Sequence, residues 1–160
     1  MKLVIAAVGR LKDGPERELL DRYVRRLGQT GRSFGLAPVE VLETPEGRAE
    51  TAALRQADEA VRLLKLAASC EVIVALDEAG RMMASRDFAG VIARHRDGGA
   101  QGIAFLIGGA DGHGASALAK AALRLSLGPM TLPHGLARIV LAEQLYRAAT
   151  ILAGHPYHRD

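Results

Sequence analysis

The strongest constraint on this chain is a regular exchange between two periodicities. The runs Lys2–Val8, Glu71–Leu76 and Gly102–Ile107 are almost continuously apolar. A strand of that kind is covered on both faces, as in a parallel sheet. The segments between them are longer and carry apolar residues at helical spacing. Pro15 to Leu27 places Leu19, Leu20, Val24 and Leu27 on one stripe, and Gly28, Gly31 and Gly35 are expected to break it. Leu36–Leu42 alternates and predicts a second strand. Arg48 to Ala68 predicts a long helix packed through Leu54, Ala57, Val61 and Leu64. Ser85 is expected to cap a helix that reaches Arg96 and stops at Gly98-Gly99. A helix from Ala115 to Ala122, a short strand Leu123–Leu127 and a last helix from Leu136 to Ala153, closed by Gly154, complete the series. Strands alternating with helices predict an α/β fold with a mostly parallel sheet flanked by helices. The 160 residues suit one domain spanning 1–160.

Composition narrows the setting. With 49% hydrophobic and 24% charged residues the chain reads as an ordinary globular protein. Trp is absent, so Leu, Val, Ile and Ala must build the core. Leu3 to Val8 is too short for a signal-peptide core, and no stretch approaches the roughly 20 apolar residues of a membrane span. No membrane partner is expected. The lone Cys70 cannot form an internal disulfide and reads as a small buried thiol in a reducing cytoplasm. The net charge of +3 is modest but unevenly placed. No Asp or Glu occurs between Gly112 and Ala142, where Lys120, Arg124 and Arg138 lie, and the first helix adds Arg17, Arg22, Arg25 and Arg26. Such faces suit a polyanion.

The final helix is apolar around most of its circumference, through Ile139, Val140, Leu141, Ala142, Leu145, Ala148, Ala149, Ile151 and Leu152. It must be buried on more than one side, which points to a subunit interface as well as a core.

In an open α/β sheet, ligands settle outside the carboxyl ends of the strands. Three ends stand out here: Leu76-Asp77, Gly108-Gly109 and Leu127-Gly128-Pro129-Met130. Glycine lets backbone approach a ligand closely, while Leu127, Met130 and Leu132 offer apolar walls. Gly112-His113-Gly114-Ala115-Ser116-Ala117 also satisfies the G-x-G-x-x-A dinucleotide fingerprint. That motif needs an acid about 20 residues later for the ribose, and none occurs between Asp111 and Glu143. A dinucleotide-dependent oxidoreductase is therefore disfavoured. His113 itself reads equally as a solvated turn residue.

The polar counterpart lies in His134 and in the tail His155-Pro156-Tyr157-His158-Arg159-Asp160. Imidazole titrates near pH 6.5 and suits proton relay at neutral pH. Tyr157 could stack on a splayed base, and Arg138 or Arg159 could hold phosphate. His155 and His158, with no further Cys or His nearby, make a poor metal site, so no metal is expected. Pro156 limits the backbone freedom of the tail.

Taken in order, Met1-Lys2-Leu3-Val4-Ile5-Ala6-Ala7-Val8-Gly9, Leu76-Asp77, Leu106-Ile107-Gly108-Gly109, Met130-Thr131-Leu132-Pro133-His134 and His155-Pro156-Tyr157-His158-Arg159 resemble the ribosomal large-subunit methyltransferase H family. The resemblance covers nearly the whole chain, with residues 13–69 matching only in pattern. It implies a SPOUT-type fold with a C-terminal trefoil knot, which general topology rules would never suggest. It also implies a homodimer and S-adenosyl-L-methionine as cofactor, contacted by Leu76, Gly108, Leu127, Gly128, Pro129, Met130, Thr131 and Leu132. The implied reaction is methylation of ring nitrogen 3 of a pseudouridine in large-subunit ribosomal RNA, within an assembled ribosomal particle. His134, His155, Tyr157, His158 and Arg159 would serve as catalytic residues. A chain this short has no separate RNA-binding domain, so the dimer would supply that surface. The competing expectation is a non-catalytic ribosome-associated factor with the same fold.

Overall fold

In the computed structural model, residues 1–155 and 157 are described. Five parallel strands form one sheet: β1 (Lys2–Val8), β2 (Val39–Thr44), β3 (Val72–Arg81), β4 (Gly102–Ile107) and β5 (Leu123–Leu125), in the order β2-β1-β4-β3-β5. Five helices connect them: α1 (Pro15–Arg32), α2 (Ala52–Leu66), α3 (Ser85–Asp97), α4 (Ala115–Lys120) and α5 (His134–Leu152). The expected α/β class and the bounds of β1 and β4 agree with the sequence reading.

Alternation along β1 explains the layering. Leu3, Ile5 and Ala7 face a core shared with α1, α3 and α5, where Leu20, Leu27, Phe88, Ile92, Leu141 and Leu145 are buried. Val4, Ala6 and Val8 face the opposite layer, where Ala60, Leu63 and Ala67 of the α2 segment and Ala117 of α4 cover the sheet. Both faces are sealed, as near-continuous apolar strands require.

Several local expectations need correction. α1 continues through Gly28 and Gly31 to Arg32. Gly31 is buried beneath Leu36, whose N–H donates to the Gly31 carbonyl at 2.8 Å. The second strand starts at Val39 rather than Leu36. Ser85 is the first residue of α3 rather than its cap, and its hydroxyl donates to Gln144 at 2.7 Å. The largest departure is α2, which turns the opposite face inward. Leu54 and Val61 are 59% and 63% exposed, whereas Glu59, Ala60 and Leu63 are buried. Small Ala60 and Ala67 let the helix lie close to the sheet, and the polar residues beside them reach loop backbones that sequence spacing does not reveal.

α5 is held chiefly by its own protomer. It packs between α1 and α3 against the sheet, and Leu141, Ala142, Leu145, Ala148 and Ala149 have no exposed surface. Its apolar circumference therefore does not itself require a second subunit. Arg138, expected on a basic face, is 1% exposed. Its guanidinium pairs with Glu43 at the end of β2 and donates to the carbonyls of Val8 and Gly9 at 3.2 and 3.1 Å. Burial pushes this guanidinium below its ordinary value, against the opposing pull of Glu43. Arg17 of α1 joins the same carboxylate at 2.8 Å. No described helix is long and apolar enough to cross a membrane.

Removing one partner of a buried ion pair strands the other. Arg138→Met should cost roughly 3 kcal/mol, since Arg17 still neutralises Glu43 in part. That corresponds to a fall in melting temperature of roughly 6–12 °C in a chain of this size. An unchanged urea midpoint would show that the pair does not secure α5.

Candidate functional site

The carboxyl ends of β4 and β5 converge with the middle of β3 on a cleft of about 520 Å³. β3 runs on to Arg81, so Leu76-Asp77 is not the strand end expected from sequence but the point where its pairing with β4 stops. Leu76, Asp77 and Glu78 line it from β3, residues 108–113 follow β4, and Leu125 to Gly128 with Met130, Thr131 and Leu132 follow β5. His134 and Ala137, in the first turn of α5, close one side. The geometry thus brings together Leu76, Gly108, Leu127, Gly128, Met130, Thr131, Leu132 and His134. Pro129 is exposed and does not line the cleft.

Local bonding fixes each wall. Gly128 adopts φ +133°, a conformation that side-chain-bearing residues rarely adopt. The buried Ser126 hydroxyl accepts from the Gly128 N–H at 3.2 Å and donates to its carbonyl at 3.1 Å, which holds the turn. Met130 stands at the mouth, 80% exposed. On the β3 side, Asp77 accepts from the Ala79 N–H at 3.0 Å and from Arg124 at 2.7 and 2.9 Å. Arg124 is therefore paired rather than a free basic contact. On the β4 side, the turn presses against α2. A Cβ on Gly109 would come within 2.5 Å of a Glu59 carboxylate oxygen, so a side chain there would displace the Glu59 carboxylate. Asp111 forms a two-pronged pair with Arg55, which holds its carboxyl below the usual carboxylate range.

His113 is not a solvated turn residue. Both ring nitrogens are buried, and neither reaches hydrogen-bond geometry among the described residues. Burial pushes the imidazole below its ordinary value, while the nearby Leu76 and Leu106 carbonyls and the charges of Asp77 and Glu59 oppose that shift. Glu78, Asp111 and Ser126 are site residues that the sequence reading misses, while it names Asp77 only as part of a strand end and leaves His113 open. The only sequence signal for them was their proximity to the Gly-bearing strand ends.

The described tail residues lie elsewhere. His155 and Tyr157 do not line the cleft. Tyr157 packs on Tyr146 at 4.6 Å between ring centres, beneath Arg147, and its hydroxyl donates to Glu143 at 3.3 Å. Desolvation, with help from Tyr23 and Glu143, raises the Tyr157 hydroxyl to about 12. Its ring is thus partly engaged with the core, and removal of the tail would strip that contact. Tyr146 lies twelve residues along α5 from His134, about 18 Å at helical rise. His158 and Arg159 lie outside the described residues. Among the described residues, no cluster of three or more His, Cys, Asp or Glu could hold a metal.

Comparisons with known proteins give the family and the fold. A family model described as "Predicted SPOUT methyltransferase" matches residues 1–158. A protein of Xanthobacter autotrophicus named "Ribosomal RNA large subunit methyltransferase H" is 51% identical over 159 residues, 99% of each chain. One of the same name from Brucella anthropi is 49% identical over 160 residues, the whole of both chains. The solved structure of a probable methylase family protein from Haemophilus influenzae superposes with a TM-score of 0.54. At 13% identity, and covering 99% of this chain and 70% of that one, it is alike in fold. The chain belongs to the ribosomal RNA large-subunit methyltransferase H family of SPOUT methyltransferases.

Because the folded value of His113 is depressed, the unfolded chain takes up its proton first as pH falls. The stability of the neutral form is present above the ordinary value near 6.5 and is lost below it. Between pH 7 and 5 the wild-type melting temperature should fall more steeply than that of His113→Leu. Parallel slopes would show that the imidazole titrates alike in the folded and unfolded chain.

Proposed function

We propose that this protein transfers the methyl group of S-adenosylmethionine to ring nitrogen 3 of a pseudouridine in large-subunit ribosomal RNA. The observation that carries the reading is the convergence of the middle of β3, the segments after β4 and β5, and His134 on one cleft, in a chain of this family. The relatives' names supply the RNA class.

The cleft suits the cofactor. Its volume falls within the range of small-molecule sites. Leu76, Leu127 and Leu132 offer apolar contact to a purine, and the backbone of Gly108 and Gly128 offers polar groups without side-chain obstruction. Glu78, exposed and without an ion pair among the described residues, offers negative charge to a cationic ligand. When bound, the cofactor supplies an electrophilic methyl group on a positively charged sulfur. The nitrogen–carbon bond forms as the sulfur–carbon bond breaks, and the protein chiefly aligns the two partners. The proton on nitrogen 3 must leave as well. His134, on the cleft wall, is placed to accept it.

The same reading includes a homodimer. Tyr157 is held beside Tyr146, away from the cleft of its own chain, so in this reading the tail acts on the cleft of a second protomer. The strand order, with β4 between β1 and β3, and the passage from β5 directly into α5 suit the knotted topology of SPOUT proteins. A cytoplasmic site of action, on an assembled ribosomal particle, fits the lone half-buried Cys70.

Calorimetry tests the cofactor. S-adenosylhomocysteine should bind and NADH should not. Gly108→Val should abolish that binding, because even a Cβ there meets the Gly112 carbonyl at 3.0 Å and the branched carbons would fill the cleft. Undiminished affinity in a folded Gly108→Val protein would remove the cleft from consideration.

Mixing tests the tail. His155→Ala/His158→Ala/Arg159→Ala protein should lose about 100-fold or more in RNA methylation while still binding S-adenosylhomocysteine. Subunits carrying these changes, exchanged with Gly108→Val subunits, should regain activity, since each mixed dimer joins one intact cleft to one intact tail. Failure of the mixture to recover activity, with exchange verified by mass, would place the tail's action within its own protomer or deny it altogether.

A further inference from the structure

We propose that Arg55 is a positioning residue for cofactor binding, holding the Gly-rich turn after β4 against α2 so that the Gly108 backbone stays presented to the cleft. This rests on the cofactor reading above. Arg55 is on the inner face of α2 and does not line the cleft. Its Nε and Nη2 donate to the two carboxylate oxygens of Asp111 at 2.7 and 3.1 Å. Its Nη1 donates to the carbonyls of Ala49 and Glu50 at 3.0 and 3.2 Å, so one guanidinium ties the β2–α2 loop to the turn. One residue along, Gln56 donates to the Asp111 carbonyl at 2.5 Å. One helical turn along, the buried Glu59 accepts from the Gly47 N–H at 2.7 Å and abuts Gly109 with its other oxygen.

These bonds explain why α2 turns polar residues inward and leaves Leu54 and Val61 in solvent. The turn they hold has glycine at positions 108, 109, 112 and 114. Such a backbone has unusual freedom to lose on ordering. Holding it in place beforehand removes that loss from the binding step. Only a planar fork can grip both Asp111 oxygens while reaching two carbonyls, which Lys cannot reproduce.

The expected effect is confined to cofactor affinity. Arg55→Met and Asp111→Asn should each weaken S-adenosylhomocysteine binding about tenfold by calorimetry. The double variant should be no weaker than either single one, because both remove the same interaction. In methylation assays Arg55→Met should raise KM for the cofactor by a similar factor and leave kcat at saturation within about twofold. A purely structural defect would instead lower kcat by depleting folded enzyme. Wild-type affinity should drop towards that of the variants in high salt, since the pair is partly exposed. Arg55→Lys substitutes if Arg55→Met does not fold, and should still weaken binding. Unchanged affinity in the variants, additive losses, or a loss seen only in kcat would overturn the proposal. A wild type that binds no S-adenosylhomocysteine would instead overturn the cofactor reading, and the proposal with it.

Discussion

The position of α5 depends on one buried charge. Arg138 enters the protein at the carboxyl ends of β1 and β2, where it donates to the Val8 and Gly9 carbonyls and meets Glu43. A buried guanidinium is tolerated when carbonyls take its donors and a carboxylate is at hand. Here both terminal nitrogens are engaged, while Nε is buried without a partner among the described residues. Those conditions join residues 95 apart in sequence for the ion pair and 130 apart for the Val8 carbonyl. His134 is one turn earlier on the same helix, so the interaction that secures α5 to the sheet also sets where the imidazole meets the cleft. Ridge packing against α1 and α3 gives the helix its binding energy. The charge gives it a defined axial position, because sliding by one residue would unseat the guanidinium.

Much of this architecture was legible from sequence, for identifiable reasons. β1 and β4 are continuous apolar runs bounded by charge and glycine, and only one assignment fits them. The cleft was visible because glycines recur at strand ends, where a buried strand has no other use for them. What escaped were features decided by partners distant in sequence. The inward face of α2 was misread because leucine and valine spacing was weighed above the loop backbones that Arg55, Gln56 and Glu59 serve. Arg138 and Arg124 counted as basic surface until Glu43 and Asp77 came beside them. α1 outran its glycines because Gly31 is covered by Leu36, which lies beyond the helix. His113, in a stretch dense with glycine, gave no sign of burial.

The cleft sits between two kinds of support. Its β5 wall is held by near neighbours, with Ser126 and Gly128 bonding one another within three residues and the adjacent strand β3 holding Arg124 and Ser126 through Asp77 and Arg81. Its β4 wall is borrowed, fastened by a helix from a different part of the chain. A wall of the first kind keeps its shape whenever the local backbone is intact. A wall of the second kind depends on how α2 is seated, so contacts far from the cleft bear on it.

The odd and even positions of β1 give the sheet a property that extends beyond folding. Leu3, Ile5 and Ala7 answer to α1, α3 and α5, whereas Val4, Ala6 and Val8 answer to the α2 and α4 layer. Side chains on opposite faces belong to separate clusters, so volume changes on one face combine nearly additively with changes on the other. The layer that seats the Gly-rich turn after β4 can therefore be repacked or diversified without renegotiating the layer that seats α5. Two neighbouring functions in one small protein are in this sense independently adjustable, with a single sheet of backbone as the partition between them.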